Sequence, residues 1–319
     1  MRSPARTLAA PRELPLRSPL PQLFDAFWSR VRLPFTSRFS VTRFATLSVV
    51  RMSRVYFGRE LPPVHCYAAG DTLVDTGVAS QGEALARLVR DAGIRRALIT
   101  HHHEDHAGNA DRLAQDGLDV LAGEQTAALL GRDLPIRFYQ HVLWGKAHPA
   151  RVALLRDDAG LHIGGHRADI VPAPGHCVDQ VAFHVPEEGW LFSGDAFVHE
   201  RTKVFRRDED FSATTATLER FLTLDFDVLL CAHRPRFSKG KEAIREKLAW
   251  LRDIEGKVRA LHREGVPTRE IARRTVPGAR PLTAITLGDA SAHNMVRSIL
   301  HGPEPRPEVT AALRRPERP

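Results

Sequence analysis

Six consecutive residues, His101-His102-His103-Glu104-Asp105-His106, all carry side chains that can offer a lone pair to a metal ion. Imidazole nitrogen and carboxylate oxygen suit zinc, iron or manganese. In an extended stretch, residues two apart point the same way, so His101 and His103 can share one ion. If the chain then turns into a helix, Asp105 and His106 point together at a second position. Two ions a few ångströms apart make a bridging-hydroxide site. The alternation that aims His101 and His103 inward aims His102 and Glu104 elsewhere, as supporting or solvent-facing residues. Gly108 is read as a small residue where the backbone crowds the ions.

A lone histidine is ordinarily a satisfied core or surface residue, so the cluster needs distant partners. It directly follows the strand-like run Arg96-Ala97-Leu98-Ile99-Thr100. Three later runs end in the same donor types: Pro172-Ala173-Pro174-Gly175-His176, Phe192-Ser193-Gly194-Asp195 and Leu230-Cys231-Ala232-His233. Strand ends are where open α/β layers gather ligands.

The chain is long enough, at 319 residues, for two domains or one with appendages. It is 43% hydrophobic and 26% charged, enough to close a core. No run of 18 apolar residues exists, so a transmembrane helix is excluded. The net charge of +8 is carried entirely by residues 1–54, which hold ten arginines and two acids. The rest is balanced, so no polyanion-binding face is expected, and nucleic acid is not an expected partner. Residues 1–45 are proline- and arginine-rich and read as a disordered or leader-like extension. Met52 is an alternative start, and an organellar transit segment an alternative reading of the leader. Cys66, Cys177 and Cys231 show no paired spacing, which fits a reducing, cytoplasmic setting.

Beyond the leader, Val55–Phe57, Val64–Ala68 and Thr72–Gly77 read as strands, and Gln81–Ala92 as a helix that Gly93 ends. Later strands are expected over Ala168–Val171, Gln180–Val185, Trp190–Ser193 and Asp227–Ala232. Ile244, Leu248, Leu251, Ile254, Val258 and Leu261 fall on one stripe of a long helix. Shorter helices are expected over Thr268–Arg274 and Ser291–Leu300, each opened by a good N-cap residue. The organisation expected is a catalytic domain over 46–240, a helical module over 241–302 and a flexible tail over 303–319. The aromatic run Phe138–Gly145 reads as either pocket lining or core. Cys177 reads as a buried, inert thiol.

The HxHxDH pattern at His101, His103, Asp105 and His106, followed in order by His176, Asp195 and His233, resembles the metallo-β-lactamase fold superfamily. The upstream Leu73-Val74-Asp75-Thr76-Gly77 is similar to that family's DTG element. The resemblance spans about residues 50–240. It implies an α/β, four-layer α/β/β/α sandwich, here with a C-terminal helical extension, and metals at one edge of the two sheets. It further implies that His101, His103 and His176 hold a first ion, that Asp105, His106 and His233 hold a second, and that Asp195 bridges them. Asp75 would orient a ligand histidine. Two divalent ions are implied, zinc first, with iron or manganese as alternatives.

Three positions distinguish branches. Asp195 stands where many true β-lactamases use cysteine, which disfavours that antibiotic chemistry. His233 is followed by Arg234-Pro235 rather than the common glycine, and His103 is not the glutamate of oxygen-reducing relatives. The expectation is a glyoxalase II-like, dinuclear metal-dependent hydrolase. A metal-bridging hydroxide would attack a thioester, ester or lactone of a small-molecule substrate, with Asp105 steering the hydroxide or shuttling its proton. The alternatives are a metal-dependent nuclease or phosphodiesterase of the same superfamily, and a mononuclear iron persulfide dioxygenase. For the nuclease, Glu264–Arg274 faintly resembles half of a helix-turn-helix.

Overall fold

The computed structural model describes residues 35–156 and 160–314. Eight strands form one mixed sheet: Thr36–Phe44 (β1), Leu47–Tyr56 (β2), Arg59–Glu60 (β3), Val64–Ala69 (β4), Thr72–Val74 (β5), Arg96–Ile99 (β6), Asp119–Ala122 (β7) and Ala153–Leu154 (β8). Their order is β1-β2-β4-β5-β6-β7-β8, with β3 also on β2. β1 to β5 run as antiparallel neighbours, while β5 to β8 are parallel. A second sheet comprises Leu161–Ile163 (β9), His166–Pro172 (β10), Val181–Val185 (β11), Trp190–Phe192 (β12) and Val228–Leu230 (β14), in the order β14-β12-β11-β10-β9. Phe205–Arg206 (β13) pairs separately with Ala290–Ser291 (β15).

Three buried clusters separate four layers. The two sheets meet through Leu47, Tyr67, Leu98, Phe183, Trp190 and Phe192. The other face of the first sheet is covered by helices Gly82–Asp91 (α1) and Ala110–Gln115 (α2), which bury Leu85, Val89 and Leu113 against Val50, Cys66, Leu73 and Ile99. Two short helices, Glu124–Leu130 (α3) and Phe138–Trp144 (α4), follow along the chain. The outer face of the second sheet is covered by Phe211–Thr223 (α5) and Gly240–Arg263 (α6). The expected stripe of α6 is the buried one: Ile244, Leu248, Leu251, Ile254 and Val258 all face the core. Each such side chain contributes roughly 1.5–3 kcal/mol. Further helices, Thr268–Thr275 (α7), Arg280–Ile285 (α8), Ala292–His301 (α9) and Pro307–Leu313 (α10), complete the C-terminal module.

This is the α/β/β/α sandwich with C-terminal helices that the sequence led us to expect. Three details differ. The extension assigned to residues 1–45 contains β1, a nine-residue strand paired along its whole length with β2. Most of β1 faces solvent, so it shows no apolar alternation to betray it; the earlier part of the leader lies outside the described residues. The tail assigned to 303–319 includes α10, which opens with Pro307 at its first position and is anchored by Arg306 between Asp208 and Asp289. Finally, Ser291 caps α9 by accepting from the Asn294 amide, but α7 begins at Thr268 itself, after Pro267, without a side-chain cap. Among the described residues no helix is long and apolar enough to cross a membrane. All three cysteines are free and buried.

Candidate metal centre

The carboxyl ends of β5, β6, β10, β12 and β14 open on one rim, and each is followed by one of the candidate residues. β5 ends at Val74 and Asp75 takes a left-handed φ of 60°. A non-glycine residue there is strained, and such strain marks positions that the surroundings over-determine. The turn points the carboxylate across to β6. The Thr100 amide donates to Asp75 Oδ1 at 2.8 Å, and His106 Nδ1 lies 2.7 Å from Asp75 Oδ2. A carboxylate there keeps the imidazole proton on Nδ1 and leaves the Nε2 lone pair facing inward. Gly108 is tightly enclosed: a Cβ would sit 2.4 Å from the Glu104 carbonyl and 2.5 Å from that of Gly77. The crowding that excludes a side chain therefore comes from backbone, whereas the sequence suggested the ions.

The seven donors converge in two adjoining sets. His101 Nε2 and His176 Nε2 each lie 3.0 Å from His103 Nδ1. Three nitrogens around a tetrahedral ion at about 2.0–2.1 Å stand about 3.3 Å apart, so the triangle is close to the size an ion requires. In the second set, His233 Nε2 is 3.3 Å from Asp105 Oδ2 and 3.2 Å from Asp195 Oδ2. His106 Nε2 is 3.2 Å from Asp195 Oδ1. Asp195 also reaches the first set, its Oδ2 standing 3.7 Å from His176 Nε2. Among the described donors it is the one that groups with members of both sets.

Two buried atoms have no hydrogen-bond partner here: His106 Nε2 and Asp195 Oδ1. They are the two that face each other. Asp75 holds one His106 proton on the far nitrogen, so the space between Nε2 and Asp195 Oδ1 calls for positive charge, either a second proton or a metal ion. The electrostatics agree. Burial pushes His101 and His103 well below the ordinary histidine range, so both are neutral donors. Burial works against charge in the second set too, but Asp195, Asp75 and Asp105 outweigh it and raise His106 well above its usual value. His233 is likewise pushed up to about 10, burial being outweighed by Asp195 and Asp105. Against the same desolvation, His233 and His106 hold Asp195 well below the carboxylate range. The second set thus demands positive charge, while His101 and His103 in the first are neutral nitrogens. The residues fit divalent ions.

Several supporting residues escaped the sequence reading. Asp179, three positions after His176, accepts from the His102 amide at 3.0 Å and bonds its ring Nδ1 at 2.8 Å. Thr126 donates to the same carboxylate at 3.0 Å, fixing the strand end that carries His101 and His103. Arg206 Nη1 lies 3.1 Å from His103 Nε2. Lys247 reaches from α6 and donates to the Ala196 carbonyl at 2.7 Å, beside Asp195. A cation in the middle of an apolar stripe was the available signal for it. Glu104 accepts from Gln140 at 3.0 Å, and Tyr139 donates to Asp289 at 2.7 Å. The aromatic run is therefore a buttress. Cys177 is buried, as expected, yet one nitrogen each of His101 and His103 lies within 4.8 Å of its sulfur.

Residues 63–233 match the family description "Metallo-beta-lactamase superfamily", more than half of the chain. This chain belongs to the metallo-beta-lactamase superfamily. A hydroxyacylglutathione hydrolase of Rhodobacter capsulatus is 31% identical over 150 residues, covering 44% of this chain and 52% of that protein. A Caenorhabditis elegans protein named beta-lactamase-like protein 2 homolog is 27% identical over 179 residues, 54% of this chain and 55% of the relative. The chain thus spans about half the length of the curated superfamily members it matches. Among solved structures, a metallo-beta-lactamase from Pontibacter korlensis superposes with a TM-score of 0.55 at 20% identity, covering 68% of this chain and 100% of that one. A metallo-beta-lactamase family protein from Thermus thermophilus gives 0.54 at 19%, covering 84% and 91%. At these identities the structures establish the superfamily fold alone.

Proposed function

We propose that this chain is a dinuclear metal-dependent hydrolase acting on a thioester, ester or lactone. The observation that supports the reading is Asp195: its Oδ1, unpartnered, faces His106, while its Oδ2 lies against His233 and also reaches His176 of the first set. In this reading His101, His103 and His176 hold one divalent ion, Asp105, His106 and His233 hold the other, and zinc is the first candidate. When bound, such ions bring the pKa of a shared water towards neutrality and polarise a carbonyl oxygen.

The chain's own residues do the rest. Asp75 keeps His106 in the tautomer that offers Nε2. Asp179 locks the backbone between His101 and His103. Asp105 has one oxygen on His233 and is placed to accept the proton that leaves the attacking water. Water adds to the acyl carbon, the bond to sulfur or oxygen breaks, the leaving group departs with a proton and a carboxylate remains. The matched hydroxyacylglutathione hydrolases act, by name, on thioesters, which favours that bond first.

For the phosphodiesterase alternative, Arg273 and Arg274 on α7 both pair with Glu270 on the same helix, which weakens the basic face that favoured it. Complete donor sets on both sides of Asp195 favour two ions over a single iron. Elemental analysis of purified protein, with a panel of thioester, lactone and phosphodiester substrates, tests the reading. Two ions per chain and acyl hydrolysis are expected, both lost in His101→Ala. Full activity in that variant, or one iron per chain, overturns it.

A further inference from the structure

A chamber of about 390 Å³ lies beside the metal centre, between the loop that follows β10, the start of α5 and the C-terminal α10. This is within the range of small-molecule sites, about 300–1,000 Å³. Its wall includes Pro174, Cys177, Val178, Ala213, Val309 and Leu313. It adjoins the centre in two ways. The Cys177 sulfur in its wall is within 4.8 Å of a nitrogen of each of His101 and His103. In addition, His102, Arg306 and Val309 are shared with a smaller cavity lined by His103, Glu104 and Arg206. The two cavities thus adjoin across His102, Arg306 and Val309.

Several polar groups of the wall are engaged by the protein, while Thr310 and Arg314 add polar groups at the α10 end. Asp210 caps α5 through the Ala213 amide at 3.0 Å. Asp208 pairs with Arg306 at 3.0 Å through one oxygen, and its other carboxylate oxygen is buried without a hydrogen-bond partner. His102 is turned to Asp179 through Nδ1. Most of the remaining lining is hydrocarbon, from Pro174, Val178, Ala213, Pro303, Pro305, Val309 and Leu313. Val178 is 52% exposed, two residues from His176, an apolar side chain held open beside the candidate chemistry.

We propose that this chamber binds the acyl part of the substrate, an unbranched aliphatic chain of medium length. The proposal rests on the acyl-hydrolase reading above and deepens it. Octan-1-ol is the direct probe, since it has the chain but no metal-binding carboxylate and can be titrated calorimetrically into metal-free protein. One-to-one binding is expected, weakened about tenfold or more by Val309→Trp, which fills the chamber. Ala213→Leu, on the opposite wall, serves the same purpose if the first variant does not fold. In the metal-loaded enzyme, kcat/KM should rise with each added methylene, by about fourfold at most, from acetyl through butyryl to octanoyl thioesters. The filling variants should flatten that rise. Octanol binding that neither variant weakens, or no octanol binding at all, overturns the chamber. So does a flat chain-length profile in an active enzyme. An enzyme that cleaves no thioester, ester or lactone sinks the hydrolase reading instead, while the octanol titration still judges the chamber.

Discussion

The rim that carries the histidines and the wall formed by α10 lie side by side, yet they are built on opposite terms. The rim donors lie at or just beyond strand ends, are buried or nearly so, and several are held by a further residue: His106 by Asp75, the His101–His103 backbone by Asp179, and Asp75 itself by Thr100. The wall has few such ties, chiefly the pairs of Arg306 and the Glu304 amide bonded to the Arg207 carbonyl. Chemistry that needs fixed distances sits on the sheets. The surface proposed to suit a substrate sits on an appended segment, where change costs the fold little.

The sharpest way to break this contrast is at Asp195. Asp195→Ala removes the one side chain common to both donor sets. Both ions should be lost together, and turnover should fall by about a thousandfold or more. Metal content and rate are measured on the same sample, and retention of one full ion with normal turnover would show that the two sets are independent. A smaller effect is expected one step back. Asp75→Asn keeps the shape but lets the amide present its NH2 to His106, freeing the tautomer. Metal affinity should fall about 10–100-fold, as is usual for outer partners of ligand histidines. Competition with a chelator reads this directly.

These two experiments touch the part of the molecule that was legible in the sequence. His101 to His106 form a local pattern, and His176, Asp195 and His233 announce themselves by closing strand-like runs. Asp75 was legible only through the resemblance of Leu73-Val74-Asp75-Thr76-Gly77 to the superfamily's DTG element. The wall was not legible. Val309 and Leu313 meet Cys177 and Val178 only through tertiary packing, and a proline-rich tail reads as frayed until Arg306 finds Asp208 and Asp289. β1 was missed for a related reason: local pattern reports burial, and a strand facing water on both sides carries no such pattern. Arg206 and Asp179 act through single hydrogen bonds across the fold, which no spacing encodes.

Rigidity of the rim can be tested without touching a donor. Gly108→Ala places a methyl against the carbonyls of Glu104 and Gly77 and the amide of Ala79, all backbone atoms that cannot step aside cheaply. A cost of about 1–3 kcal/mol is expected. Val178→Ser, on the exposed wall nearby, should stay within about 0.5 kcal/mol. Denaturant midpoints of the two variants decide; equal costs would erase the distinction between rim and wall.

The mildest effect is expected where the C-terminal module props the rim. Lys247 is buried on α6 and desolvation brings its amine down to about 8, against partial support from Glu209 and Asp195. Its folded pKa lies below its unfolded value, so between pH 8 and about 10.5 the unfolded chain binds more protons at this site. Stability from this residue must then rise with pH across that window. Raised thiol values pull the other way: burial lifts Cys231 to about 12, which makes the fold less stable relative to the unfolded chain above the ordinary thiol range. The informative quantity is therefore the difference between the wild type and Lys247→Met, measured by denaturation at several pH values. The wild type should gain on the variant by something on the order of 1 kcal/mol from pH 8 to 10. A difference that stays constant with pH would mean that the amine keeps its charge, and that Lys247 supports Ala196 as an ammonium throughout.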